Sequence, residues 1–512
     1  MITSVEPPAV VGDPRIRLTG AALVQPQALT SPLPARARQL ERLLLLLFFL
    51  SLVLLNPWVR GDGVGYYAFA RAPLIEHSFD FQRDYQEANA SFREARLDEN
   101  GQPKSVFRTI TGHLDNHFTV GPAILWAPFL MLAHVGVLLA RAMGSPVAAD
   151  GFSAPYRIAM AFGTALYGFL GLLLAIRIAR KYVDERWAFL AAISIWWASS
   201  LPVYMYFNPS WSHAHSAFAV ALFLWYWHET REQRSTRQWC VLAAIAGLML
   251  NVYYVNAMLL LVLAVEAIGQ YVAAFRDPEH GGPSTAQLLK RHLLFGAVVV
   301  LAFLPTLVTR YIIYGSPFQS GYIPLRNWAW RSPFFLSVLF SSNHGLFAWT
   351  PIAALAVAGL FVFWRRETRV GAPFLAAALG FYLLITCYPD WAGISSYGNR
   401  FFVSLTALFI LGLSVLLDRL AKLFGSPRAA LAAAFAVLGC LVLWNAAFMF
   451  QWGTHLVPAR GPIVWSEMIH NQFSAVPRQI SAKVQSYLFH RSKLMRQIED
   501  RDIEQMEAQP AP

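Results

Sequence analysis

The chain has 512 residues, of which 56% are hydrophobic and only 14% charged. A soluble domain carries about 25% charged residues, so a water-soluble globular class is excluded. The formal net charge of +12 does not point to nucleic acid. Many of the Lys and Arg residues gather in short loops between apolar runs, and no arginine-rich arm or stacking groove accompanies them.

Residues 1–38 are rich in Pro and Ala and read as a disordered cytoplasmic tail. No small-residue cleavage site appears in the apolar run that follows, so that run reads as an uncleaved helix. It extends from Leu43 to Val59, close to the roughly 20 residues that a spanning helix needs. Arg36, Arg38 and Arg42 before it place its start in the cytoplasm. The run therefore delivers Arg60-Gly61-Asp62-Gly63-Val64-Gly65-Tyr66-Tyr67 to the outer face. Glycines let a backbone turn sharply beside a ligand, and an acid at membrane depth is costly unless it has a task. Asp62 is the candidate reactive centre, with an ordinary helix cap as the competing reading.

A polar stretch follows, and then an apolar run at 121–139 that contains Pro122, Pro128 and His134. Those residues suggest an interfacial or re-entrant helix returning to the outer side, which leaves all of 60–156 outside. Further spans are expected at 157–178, 188–205, 215–228, 239–254, 255–271, 293–313, 346–364, 371–387, 401–417 and 429–450. With the first helix they make about 11 transmembrane helices in an all-α polytopic membrane protein. Basic clusters fall in alternate connections, at Arg177 to Arg186, Arg231 to Arg237, Arg276 to Arg291, Arg365 to Arg369 and Arg419 to Arg428; these are expected to be cytoplasmic. Arg326 and Arg331 run against the rule. The tail from 451 to 512 is placed outside, with an amphipathic surface helix near Ile480 to Ile503.

This topology gathers polar residues on one face. The first outer loop brings His113, Asp115 and His117; the second brings Asn208, Trp211, His213 and His215. Later loops bring His344, then Tyr397, Asn399 and Arg400. Convergent polar groups from separate loops make a candidate pocket. His213-Ala214-His215 reads either as a weak metal half-site, which needs an extended backbone to put both rings on one face, or as a phosphate contact. Arg400 opens an apolar helix with no acid beside it in sequence, so its donors are expected to be free for a phosphate. The alternative is a snorkelling interfacial arginine.

An acid just beyond the first spanning helix, a large first outer loop ending in a Gly-Pro apolar helix, and basic inner loops together resemble the GT-C superfamily of membrane glycosyltransferases. The resemblance is to bacterial enzymes similar to protein O-mannosyltransferases and lipid A aminoarabinose transferases. Asp62 with Tyr66 and Tyr67 looks like their first-loop acid motif, and Arg180-Lys181 looks like their basic inner turn. The segment His117 to Trp126 is similar to the one before their interfacial helix, with Val120-Gly121-Pro122 where Tyr-Pro-Pro is usual. Their second outer loop often offers an acid, which Asn208, His213 and His215 replace here. The resemblance covers residues 39–313; it leaves 314–450 as variable C-terminal helices and 451–512 as the tail.

The resemblance implies an inner-membrane enzyme with its site facing the periplasm. It would move a sugar, with inversion, from a polyprenyl-phosphate-linked donor to a glycan, lipid or protein acceptor. Asp62 would be the base, and Arg400 would hold the leaving phosphate. The histidines would hold or protonate that phosphate, and Tyr66, Trp211 and Tyr397 would offer flat faces to sugar and lipid. No cofactor is certain; a divalent cation at His213 and His215 is the one candidate. The rival class is a transporter or flippase, whose site belongs near the bilayer midplane between repeated halves. Polar groups concentrated at one surface, with no internal repeat, favour the enzyme.

Overall fold

The computed structural model describes residues 35–276, 283–319 and 321–507. The expected tail over 1–34 lies outside them, but Ala35 to Arg38 already belong to the first helix. The chain is an all-α polytopic membrane protein. Among the described residues, seven helical stretches are long and apolar enough to cross a membrane.

Helix α1, Ala35–Ser51, tightens into a 3₁₀ turn at Leu52–Leu54 and then becomes extended, so it stops short of the expected Val59. The first outer loop holds α2 (Asp62–Arg71), α3 (Gln82–Gln86) and α4 (Ala90–Arg96). Then come α5 (Gly121–Ala142), α6 (Ala154–Ala179), α7 (Glu185–Trp197), α8 (His213–Thr230) and α9 (Thr236–Val252). Next are α10 (Leu261–Arg276), α11 (Thr285–Tyr314), α12 (Phe335–Phe340), α13 (Leu346–Trp349) and α14 (Ile352–Arg366). The C-terminal part holds α15 (Thr368–Cys387), α16 (Thr406–Ala421) and α17 (Pro427–Gly453), followed by α18 (Trp465–Phe473), α19 (Ala475–Phe489) and α20 (Arg491–Glu507). The expected span at 188–205 is cut short because α7 ends at Trp197 ahead of Pro202. The surface helix expected near Ile480 to Ile503 is instead split at His490 between α19 and α20, with α18 ahead of them. Local chemistry sets several starts: Ser235 with Gln238, and Ser284 with Gln287, form capping boxes.

Ion pairs define one end of the bundle. Arg180 reaches Glu41 at 3.1 Å, Lys181 reaches Glu229 at 3.1 Å, and Arg366 reaches Asp418 at 3.3 Å while donating to the Tyr182 carbonyl at 2.8 Å. The start of α1 therefore lies beside the C-terminal ends of α6, α8, α14 and α16. At about 1.5 Å per residue, the opposite ends of α6, α8 and α16 sit far from this basic face.

Helix α5 joins that opposite end. Pro128 lies inside it without breaking it, a behaviour common where neighbouring groups re-satisfy the freed carbonyl. Its Leu125 carbonyl accepts from the Tyr167 hydroxyl at 3.1 Å, and His134 lies 2.7 Å from the Tyr156 hydroxyl, so it runs antiparallel to the first half of α6. Its first residue, Gly121, packs so tightly against Asn251 and Val252 at the end of α9 that a Cβ would come within 2.3 Å of a backbone nitrogen. Beyond its last turn, the Gly151 carbonyl accepts from the Tyr67 hydroxyl at 2.6 Å. Helix α5, itself one of the seven stretches long and apolar enough to span, thus meets the end of α9 at its start, and the segment beyond its end meets α2.

Candidate active site

The turn into α2 is shaped by its glycines. Gly61 has φ +53° and ψ −131°, a region that side chains with a Cβ rarely enter. A Cβ on Gly63 would fall 1.9 Å from Ser210 Oγ, so the chain passes hard against the 208–212 loop. The Arg60 carbonyl accepts from Trp211 Nε1 at 3.0 Å, and the Gly61 amide donates to Asn89 Oδ1 at 3.0 Å. Asp62 stands in the first turn of α2, but its side chain caps nothing.

It meets Arg400 instead. Asp62 Oδ2 lies 2.8 Å from Arg400 Nη1, with the two side chains 32% and 11% exposed. The expectation that Arg400 has a fully free fork is thereby corrected: its long-range neighbour is the candidate base itself. The guanidinium lies 4.7 Å from the centre of the Trp211 ring, within cation–π range. Its buried Nε has no hydrogen-bond partner. Gly393 makes room for it, since a Cβ there would stand 3.1 Å from that nitrogen. The pair therefore leaves donor capacity on the arginine and a second oxygen on the carboxylate.

Around it, Ser212 donates to the Tyr66 hydroxyl at 3.0 Å. Burial, and then the Asp62 charge, push the Tyr66 phenol up to about 12, so it remains neutral. Asp390 lies close enough to both partners to feel them. Burial pushes it up to about 6, against the pull of Arg400 and with the push of Asp62. His344, at φ +60°, packs 4.6 Å from Trp349, and burial followed by the Arg400 charge pushes it down to about 4. Its imidazole is neutral near pH 7.

The remaining sequence candidates divide. His213 opens α8 beside Trp211 and Tyr253, with ring centres 6.1 and 5.6 Å away, and its buried Nδ1 has no hydrogen-bond partner. His215, also on α8, faces Trp126 and Tyr167 at 5.0 and 5.6 Å. The two rings are helical and diverge, which removes the shared face that a metal half-site requires. Among the described residues, no three His, Cys, Asp or Glu side chains converge as a metal set. Tyr67 is buried and bonded to Gly151, and Tyr397 is buried and donates to Asn445 Oδ1 at 2.8 Å, so both serve packing. Asn208 is buried at the 208–212 turn. Asn399 donates to the Trp391 carbonyl at 3.2 Å and leaves its buried Oδ1 without a partner.

His113 bonds Thr111 at 3.0 Å at the rim. His117 lies 3.3 Å from Asp115, whose other oxygen accepts from Tyr314. Burial works against the Asp115 charge, yet His117 and Tyr314 hold it below the usual carboxylate range. Arg310 binds the carbonyls of Asn116, His117 and Phe118. Phe118 packs 4.8 Å from Tyr66, which makes this segment a wall of the site.

Sequence reasoning passed over Asp390, Ser212, Tyr253 and Asn89. Asp390 alone left a signal, as an acid between Pro389 and Trp391 in a loop already placed outside.

No protein-family model and no curated protein matches the chain. The chain is similar to apo ArnT from Cupriavidus metallidurans, at 14% identity and a TM-score of 0.47, over 91% of this chain and 73% of that one. It is similar to the Archaeoglobus fulgidus oligosaccharyltransferase in complex with Zn and sulfate, at 15% identity and a TM-score of 0.42, over 80% of this chain and 55% of that one. It is also similar to AglB from the same organism in complex with an inhibitory peptide and a dolichol-phosphate, at 14% identity and a TM-score of 0.42, over 83% of this chain and 58% of that one.

Proposed function

We propose that the chain is a membrane glycosyltransferase of GT-C type, moving a sugar with inversion from a polyprenyl-phosphate-linked donor to an acceptor on the outer, periplasmic face. The observation that carries this is the Asp62–Arg400 pair, 2.8 Å apart at the end of the bundle opposite the basic loops. A carboxylate and an under-used guanidinium, walled by Trp211, Tyr66 and Tyr253, are the two parts the reaction needs. Their place at one end of the helices, away from the middle, supports chemistry at a surface over passage through the membrane.

The donor's phosphate would take the open donors of Arg400, including Nε, and compete with Asp62 for the rest. The carboxylate is then released toward the acceptor. As the acceptor oxygen bonds to the anomeric carbon from one face, the carbon–oxygen bond to the phosphate breaks on the other. The hydroxyl proton passes to Asp62, and the electron pair leaves with the phosphate, where Arg400 meets the charge. Neutral His344 and Tyr66 add no competing charge.

Asp62→Asn keeps the shape of the side chain and removes its basicity. It should lower sugar transfer in isolated membranes by about 10²–10⁴-fold at unchanged protein abundance. Transfer at the wild-type rate would refute the assignment.

A further inference from the structure

The C-terminal tail is tied to the turn that presents Asp62. Helix α20 places Glu499, 8% exposed, against the start of α4, where its Oε1 accepts from Asn89 Nδ2 at 2.7 Å and from the Ser91 amide at 2.8 Å. Asn89 Nδ2 also donates to Ser91 Oγ at 2.8 Å, while Asn89 Oδ1 accepts from the Gly61 amide at 3.0 Å. A second tie runs through Asp502, which pairs with Arg60 on one oxygen and lies 2.9 Å from His455 on the other. A third binds the strand before the turn: Tyr487 and Arg491 donate to the Leu54 and Leu55 carbonyls. Tail residues more than 400 positions away thus converge on Asn89, on Arg60 and on the stretch that leads to Asp62.

Gly61 adopts φ +53° and ψ −131°, a conformation that glycine enters freely, so the position of this pliable turn depends on the groups that hold it from outside. The 208–212 loop holds it from one side through Trp211. The other hold is Asn89, a short side chain whose amide is oriented by Glu499. Asp62 follows Gly61 directly in the turn, so any drift of Gly61 shifts the carboxylate relative to Arg400.

We propose that Asn89 and Glu499 are positioning residues, through which the C-terminal tail sets the turn that aims Asp62 at Arg400 and the acceptor. The proposal rests on the transferase reading above, because its activity readout is sugar transfer. The tail is then a part of the site, and a chain that lacks α20 has its acid misplaced.

Two measurements on the full-length protein in detergent test this. Glu499→Ala should speed amide hydrogen exchange at residues 60–64, whereas Glu504→Ala, on the exposed side of α20, should not. In turnover, Asn89→Asp sets two carboxylates against each other, and kcat should fall about tenfold or more, the scale on which misplacement acts, with the KM for the lipid-linked donor unchanged. Adding Glu499→Gln restores a donor facing the introduced carboxylate, and kcat should return to within about threefold of wild type. Unchanged exchange at 60–64 in Glu499→Ala, or a double variant as slow as Asn89→Asp alone, overturns the proposal. If the wild-type chain transferred no sugar, the transferase reading would fall, and the exchange result would decide the clamp by itself.

Discussion

The two ends of α2 each carry an arginine–carboxylate pair, and the pairs are unlike. At the C-terminal end, Arg71 is fully buried; it grips Asp84 through Nε and Nη2 at 2.7 and 2.6 Å, and Glu76 lies against its remaining edge at 2.6 Å. The Phe152 ring closes over it at 4.5 Å. Two carboxylates and a ring enclose that guanidinium, and its buried Nη1 meets Glu76 as an ion pair outside hydrogen-bond geometry. At the N-terminal end, Arg400 has one carboxylate, two aromatic rings and a buried nitrogen with no hydrogen-bond partner. The same chemistry, enclosed by two carboxylates in one place and met by a single part-exposed one in the other, separates a fastening from a site. A cation meant to receive charge has to keep donors in hand.

The largest effect should come from breaking the fastening. Arg71→Met leaves Asp84 buried without its counter-ion, and breaking such a pair costs about 3–5 kcal/mol. The amount of folded protein recovered from membranes, and its melting temperature, should both drop sharply. Arg400→Ala should do the reverse: folded protein persists, because one partner is a part-exposed Asp62, while turnover falls about 10²–10³-fold, as for loss of a charge-stabilising donor. Arg400→Lys should recover part of the rate, since it keeps the charge but not the fork. If Arg400→Ala removed folded protein as Arg71→Met does, both pairs would be fastenings.

Much of this contrast was legible in the sequence, and some was not. Asp62 stood out because three glycines follow an apolar run, and the structure shows the reason in Gly61 and Gly63. Arg400 stood out as a lone cation at a helix start. Their pairing was hidden, because hydrophobic periodicity fixes which face of a helix is buried and says nothing about which distant loop it meets. Side of the membrane was likewise a blunt guide. It grouped His113, His213 and His215, which the structure separates between a rim, a site wall and a helix core. The role of α20 was illegible for another reason: its mixture of apolar and basic residues reads as an amphipathic surface helix, although Glu499 and Asp502 are turned inward to Asn89 and Arg60. Arg71 was passed over because its partner Asp84 lies in a polar loop with no periodic signal.

A smaller effect sharpens the backbone side of the comparison. Gly61→Ala meets an unfavourable φ and a Trp211 ring carbon 3.3 Å away, and a residue held in such a region costs about 1–3 kcal/mol. Turnover should fall about tenfold, with the protein still folded. Gly101→Ala, at φ +70° with nothing within 4 Å, should leave turnover near wild type and serves as the control for φ strain alone.

The smallest effect is a matter of pH, and it lies with Asp390. Its folded value, about 6, is above that of a free carboxyl. The folded state therefore holds the Asp390 proton where the unfolded chain has lost it. That contribution to stability is fully present below the unfolded value and is lost as pH rises through about 6. Asp390→Asn should accordingly raise the melting temperature at pH 8 relative to wild type and leave it nearly unchanged at pH 4. Turnover should show a limb near pH 6 in the wild type, because the Asp390 charge appears beside Arg400 there, and the asparagine variant should lose it. A limb that survives in Asp390→Asn would show that the Asp390 charge does not act on Arg400.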